Sequence, residues 1–102
     1  MGDRAMAEIK TPDGSLYVYT HWSGYSLPED AVKALEFAKS RWGDIAYVTR
    51  IVVDQLTKES RDETTGYGLL LKPDAEDEYN NNSPSVIIDL IENSVIVKRN
   101  SA

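Results

Sequence analysis

Polar and apolar positions along the chain change period twice, and the changes mark its elements. Ala5 to Lys10 and Leu16 to His21 alternate with the period of two that a half-buried strand requires. Between them, Pro12-Asp13-Gly14 combines a fixed φ, an Asx acceptor and a residue that tolerates positive φ, so the segment predicts a β-hairpin. In its second strand Leu16, Val18 and Thr20 share one face and Tyr17, Tyr19 and His21 the other. Trp22-Ser23-Gly24-Tyr25 breaks the alternation. Ser26-Leu27-Pro28-Glu29 then reads as a capping box with Pro in the first turn. Ala31, Leu35, Ala38 and Trp42 recur at helical spacing, which predicts an amphipathic helix ending near Gly43. Asp44 caps a second predicted helix reaching about Lys58, with Ile45, Val48, Val52 and Leu56 as its stripe. The β-branched run from Ile45 to Val53 also alternates passably as a strand, but the absence of Gly and Pro from residues 45 to 58 favours helix.

After a polar connection, Gly66 to Leu71 predicts a third strand, and residues 72 to 84, KPDAEDEYNNNSP, a long loop. Ser85 to Leu90 and Ser94 to Lys98 form a second hairpin around Glu92-Asn93. Val86, Ile87, Ile88, Ile91, Val95 and Val97 are its candidate core residues. The order ββααβββ predicts an α+β fold: one antiparallel or mixed sheet of about five strands with two helices packed on one face. At 102 residues the chain is read as one domain spanning residues 1 to 102.

Composition narrows the function classes. There is no Cys, so disulfides, thiolate nucleophiles and zinc-cysteine sites are excluded and a reducing, cytoplasmic address fits. The charged N-terminus is unlike a signal peptide and no run approaches a membrane span, so no membrane association is expected. Net charge is −6, which disfavours direct binding of nucleic acid. Residues 59 to 102 hold 9 acidic and 4 basic side chains, against 8 and 7 in residues 1 to 58.

No catalytic motif is visible. His21 is the only histidine, which excludes a paired-histidine metal site and also fits a hydrogen-bonded strand-end residue. Gly66-Tyr67-Gly68 lacks the spacing of a P-loop or dinucleotide fingerprint, yet its glycines suit close approach of an anionic ligand to the backbone. The run from Asp74 to Asn82 lacks EF-hand spacing, so no metal and no cofactor is expected. Asp74, Glu76, Asp77 and Glu78 within it form either a solvated loop or an acidic surface that docks a host protein by imitating a phosphate backbone. His21, Trp22 and Tyr25, with Arg41, Arg50 and Tyr67, combine ring faces that stack bases with arginines that pair phosphates, and are the candidate ligand-binding set. Alternatively Trp22 and Trp42 anchor the core and Arg50 pairs with Asp54, its i+4 neighbour.

Asp3-Arg4-Ala5, Tyr17 to Gly24 (YVYTHWSG), Arg41-Trp42-Gly43-Asp44, Tyr47, Arg50-Ile51 and Thr65-Gly66-Tyr67-Gly68 together resemble a group of short uncharacterised bacterial and prophage proteins, over most of residues 3 to 97. More distantly, the His-Trp-x-Gly strand followed by a helix pair is similar to the Thoeris anti-defence sponges, phage proteins that sequester signalling nucleotides without cleaving them. That resemblance implies homo-oligomeric assembly and a pocket falling on Trp22, Arg50 and Tyr67. The acidic run at residues 74 to 78 departs from the shared pattern. The expected function is thus a non-enzymatic, phage-type accessory protein that binds a small nucleotide or a host protein. The alternative is an acidic inhibitor of a nucleic-acid-handling complex.

Overall fold

The computed structural model describes residues 4–21, 23–71 and 84–98. Its elements are β1 (Ala5–Thr11), β2 (Gly14–Thr20), α1 (Leu27–Phe37), α2 (Ile45–Thr57), β3 (Tyr67–Leu70), β4 (Val86–Asp89) and β5 (Ser94–Val97). The fold is α+β, with one mixed five-stranded sheet and two helices.

The strand order is β3-β2-β1-β4-β5. β1 pairs with β2 antiparallel across the Pro12-Asp13 turn and with β4 in parallel; β2–β3 and β4–β5 are antiparallel. On one face the register lines up Ala7, Val18 and Val86, then Ile9, Leu16 and Ile88. Those residues form one core with Leu27, Ala31, Ala34 and Leu35 of α1 and Val48, Val52 and Leu56 of α2. α1 lies over β1, β4 and β5. α2 packs beside it over β2 and β3, with Ile45 and Thr49 near Leu16 and Val53 and Thr57 near Leu69. Tyr17 and Tyr19 occupy the opposite face, half-buried. Among the described residues, no helix is long and apolar enough to cross a membrane.

The ambiguous segment is helical throughout, and its predicted stripe faces the core. Tertiary burial of Val48, Val52 and Leu56 outweighs the β preference of its branched residues. Other details differ from the pattern-based expectation. The capping box does not form: the Ser26 hydroxyl donates to Asp30 Oδ2 at 2.9 Å instead of accepting a backbone N–H. Asp44 makes no side-chain cap either.

α1 ends at Phe37 rather than near Gly43, and a 3-10 turn at Lys39–Arg41 follows. The cause lies in Trp42. Its indole N–H donates to the Leu35 carbonyl at 3.0 Å, and the same carbonyl accepts the Ala38 N–H at 3.2 Å. Leu35 O is therefore satisfied without another helical turn. Trp42 rests half-buried against the core with the Lys39 ammonium 5.8 Å from its ring centroid. It anchors the corner between the helices rather than extending the stripe of α1.

In the second hairpin, Asp89 Oδ1 accepts the N–H groups of Ile91 and Glu92 at 2.9 and 3.0 Å, and Asn93 takes φ of 56° to close the turn. Ile91 at this turn and Val97 on edge strand β5 are exposed, and Ile87 lies on the sheet face away from the helices; none of the three joins the main core. Arg50 makes no ion pair with Asp54. That carboxylate is held by Arg61 at 2.7 Å.

Trp42→Phe keeps most of the ring contact and deletes the indole donor. It is expected to lower unfolding free energy by about 1–2 kcal/mol in urea denaturation. A change below about 0.3 kcal/mol would show that the bond to Leu35 O does not define the corner.

Candidate functional site

The hairpin register that buries Ala7 and Ile9 also carries β1 and β2 beyond their last ladder pair, Ala5 with Thr20. Counting outward, Arg4 falls opposite His21. The Arg4 Nε–H donates to His21 Nδ1 at 3.2 Å, and the Tyr19 hydroxyl lies 3.1 Å from the same nitrogen. A guanidinium only donates, so Nδ1 must accept and the neutral ring carries its proton on Nε2. The Tyr19 and His21 rings meet edge to face, their centroids 6.4 Å apart and their planes at 61°.

The third strand completes the site. The His21 N–H donates to Gly66 O at 2.9 Å, extending the β2–β3 pairing one residue before β3 starts. Gly66 takes φ of 104°, which turns the chain from the Thr64-Thr65 connection into the strand. Within β3, Tyr67 is registered with Thr20 and Gly68 with Tyr19. Thr20 itself is buried, and its Oγ1 accepts the Ser23 N–H at 3.1 Å, which fixes the departure of the chain toward α1.

These residues enclose a cleft of about 460 Å³ at the end of the sheet. Arg4 and His21 contribute its polar wall, Tyr19 its ring, and Thr65, Gly66, Tyr67 and Gly68 border it along β3, where Tyr67 is registered with buried Thr20 and packs its side chain against the core on the helix face. Small-molecule sites typically occupy about 300–1,000 Å³, lined by apolar groups with a few polar ones that orient the ligand. No carboxylate is among the described residues that line the cleft, although acidic side chains outnumber basic ones 17 to 11 in the chain. The charge contributed by the described lining is that of Arg4.

Of the residues singled out from sequence, His21 and Tyr67 both border this cleft, but Tyr67 packs its side chain against the core on the opposite sheet face. Tyr25 sits in a 3-10 turn before α1, 83% exposed. Arg41 lies beyond the other end of α1, an 11-residue helix about 16 Å long, with its guanidinium carbon 5.2 Å from the centroid of Tyr47. Arg50 is on the exposed surface of α2. None of these three lines the cleft. Trp22 and the acidic set Asp74, Glu76, Asp77 and Glu78 lie outside the described residues.

Arg4, Tyr19 and Thr65 join the site without having been singled out as ligand-binding residues, whereas the glycines at 66 and 68 had been read as suited to a ligand's close approach. A signal for Arg4 was present: with Pro12-Asp13 fixed as a two-residue turn, strand partners count symmetrically outward and place Arg4 across from His21. The pairing of Gly68 with Tyr19 had no such signal, because two helices separate β2 from β3. Among the described residues there is no cluster of three or more side chains suited to holding a metal ion. The cleft's hydroxyls belong to Tyr and Thr, and the described lining has no nucleophile paired with a base and an orienting carboxylate. Comparison with protein families, curated proteins and solved structures finds no match.

The Arg4 contact predicts a measurable tautomer. Long-range 1H–15N spectra of the wild type at a pH where His21 is neutral should show the Nε2–H form in large excess, and Arg4→Ala together with Tyr19→Phe should weaken that preference. A dominant Nδ1–H signal in the wild type would contradict the geometry.

Proposed function

We propose that this protein binds a small ring-bearing anion of the nucleotide class and holds it without turning it over. The observation that carries this reading is the composition of the cleft: one arginine, the Tyr19 and His21 rings and glycine backbone, without a described carboxylate, in a chain of net charge −6. Planar bases stack on aromatic faces, and guanidinium groups pair with phosphate oxygens through charge-assisted hydrogen bonds. A cleft of about 460 Å³ has the size for one nucleotide.

His21 Nδ1 faces Arg4 and Tyr19, so this nitrogen serves the architecture of the site rather than removal of a proton from a ligand. Retention without cleavage is also what the likeness to nucleotide sponges implies, and it agrees with an accessory, anti-defence role. Within this reading His21 keeps the ligand-contacting role expected of it, while Tyr67 turns its ring to the helix face and does not stack on the ligand. Arg4 takes the place assigned from sequence to Arg41 and Arg50.

Calorimetric titration with AMP, GMP, CMP, UMP and cyclic AMP should give binding of at least one in the micromolar range. The bound compound should be recovered chemically intact after heat denaturation of the complex. Arg4→Ala should weaken that binding about tenfold or more, because it removes the charged partner of the phosphate. Absence of binding to all five, or conversion of the ligand during incubation, would refute the proposal.

A further inference from the structure

The two glycines that flank Tyr67 differ in what they do for the chain. Gly66 has φ of 104°, a conformation that other residues rarely adopt, so the turn into β3 requires it. Gly68 lies within β3, is paired with Tyr19 and has no positive φ. A Cβ built on Gly68 would find nothing within 4 Å. Neither backbone conformation nor packing therefore demands a glycine there, and glycine inside a strand is destabilising relative to residues with side chains.

A glycine opposite an aromatic residue is often covered by that ring, which shields the bare backbone. Tyr19 does not do this. Its hydroxyl reaches His21 Nδ1 and its ring meets the imidazole edge to face, leaving the space above Gly68 open. The open space belongs to the cleft.

We propose that Gly68 is the platform of the site, a strip of uncovered backbone against which a planar ring lies beside Tyr19, with the anionic group of the ligand directed toward Arg4. This inference rests on the nucleotide reading and narrows it. The ligand is a base-bearing nucleotide, not a sugar phosphate, and the missing side chain at position 68 determines that preference. Strand stability is lowered at this position so that a flat group fits.

The test compares Gly68→Ala and Gly68→Val with the wild type, using AMP and ribose 5-phosphate as probes. Both variants should stay folded, because the added carbons enter open space, and their Tm should rise by roughly 2–8 °C. The wild type should bind AMP at least about tenfold more tightly than ribose 5-phosphate, the contribution of a stacked base. Gly68→Val should weaken AMP binding about tenfold or more while leaving ribose 5-phosphate within twofold, and Gly68→Ala should fall between.

Retention of full AMP affinity by Gly68→Val overturns the platform and leaves the nucleotide reading intact. An equal loss for both probes also overturns the platform, since the valine would then be blocking the cleft as a whole. A variant that unfolds or melts lower than the wild type shows that Gly68 is structural and overturns the inference as well. If the wild type binds none of the nucleotides, both the reading and the inference fall.

Discussion

The structure depends on β1 being paired along both edges while one of its faces is fully buried. Its ladder runs antiparallel to β2 and parallel to β4, and Ala7 and Ile9 have no exposed surface. A strand held this way has little freedom in register, because a slip of one residue would turn Ala7 and Ile9 outward and bring Glu8 and Lys10 into the core. Ala7 shares the core with the small Ala31 and Ala34 of α1 and with Ala38 at the helix C-cap. The bulk of the core is then supplied by Ile9, Ile88, Leu27 and the valines of α2. Everything positioned by the ends of β1, including Arg4, inherits this fixed register.

The hairpin, the helix pair and the order of elements along the chain were legible because each rests on local chemistry. Pro12-Asp13-Gly14 closes a tight turn, and Val48, Val52 and Leu56 keep helical spacing strongly enough to overrule the strand-like composition around them. The end of α1 was not legible, because Trp42 continues the helical spacing of Ala31, Leu35 and Ala38 while its indole caps the carbonyl that terminates the helix. Periodicity records which residues are buried. It does not record whether the backbone between two of them remains helical. Arg50 makes a similar point: i+4 spacing offers Asp54 a partner, but Arg61, seven residues beyond it, takes that carboxylate at 2.7 Å.

The candidate site was half legible for a related reason. Aromatic and arginine residues near one another in sequence suggested one cluster, yet the length of α1 carries Arg41 away from His21. The arginine that does reach the histidine lies 17 residues before it and is brought there by the hairpin register. Tyr67 and Gly68 arrive from beyond the helix pair, by strand pairing that local pattern cannot specify. A site assembled across three strands is visible in sequence only to the extent that the registers of those strands are.

Charge adds a constraint on how such a site works. A net charge of −6 repels an approaching nucleotide at long range, so the cleft gains nothing from the whole-molecule field. At physiological ionic strength that field is screened beyond about 8 Å, whereas Arg4 acts in direct contact, where screening is weaker. Added salt therefore weakens the local attraction and relieves the global repulsion together, two effects of opposite sign. Under the proposed nucleotide reading, affinity would rest on the short-range fit of the Tyr19 ring, backbone and one guanidinium rather than on steering. In that reading the energetic weight would fall on the surface whose shape is set by the cross-strand pair of Tyr19 and Gly68.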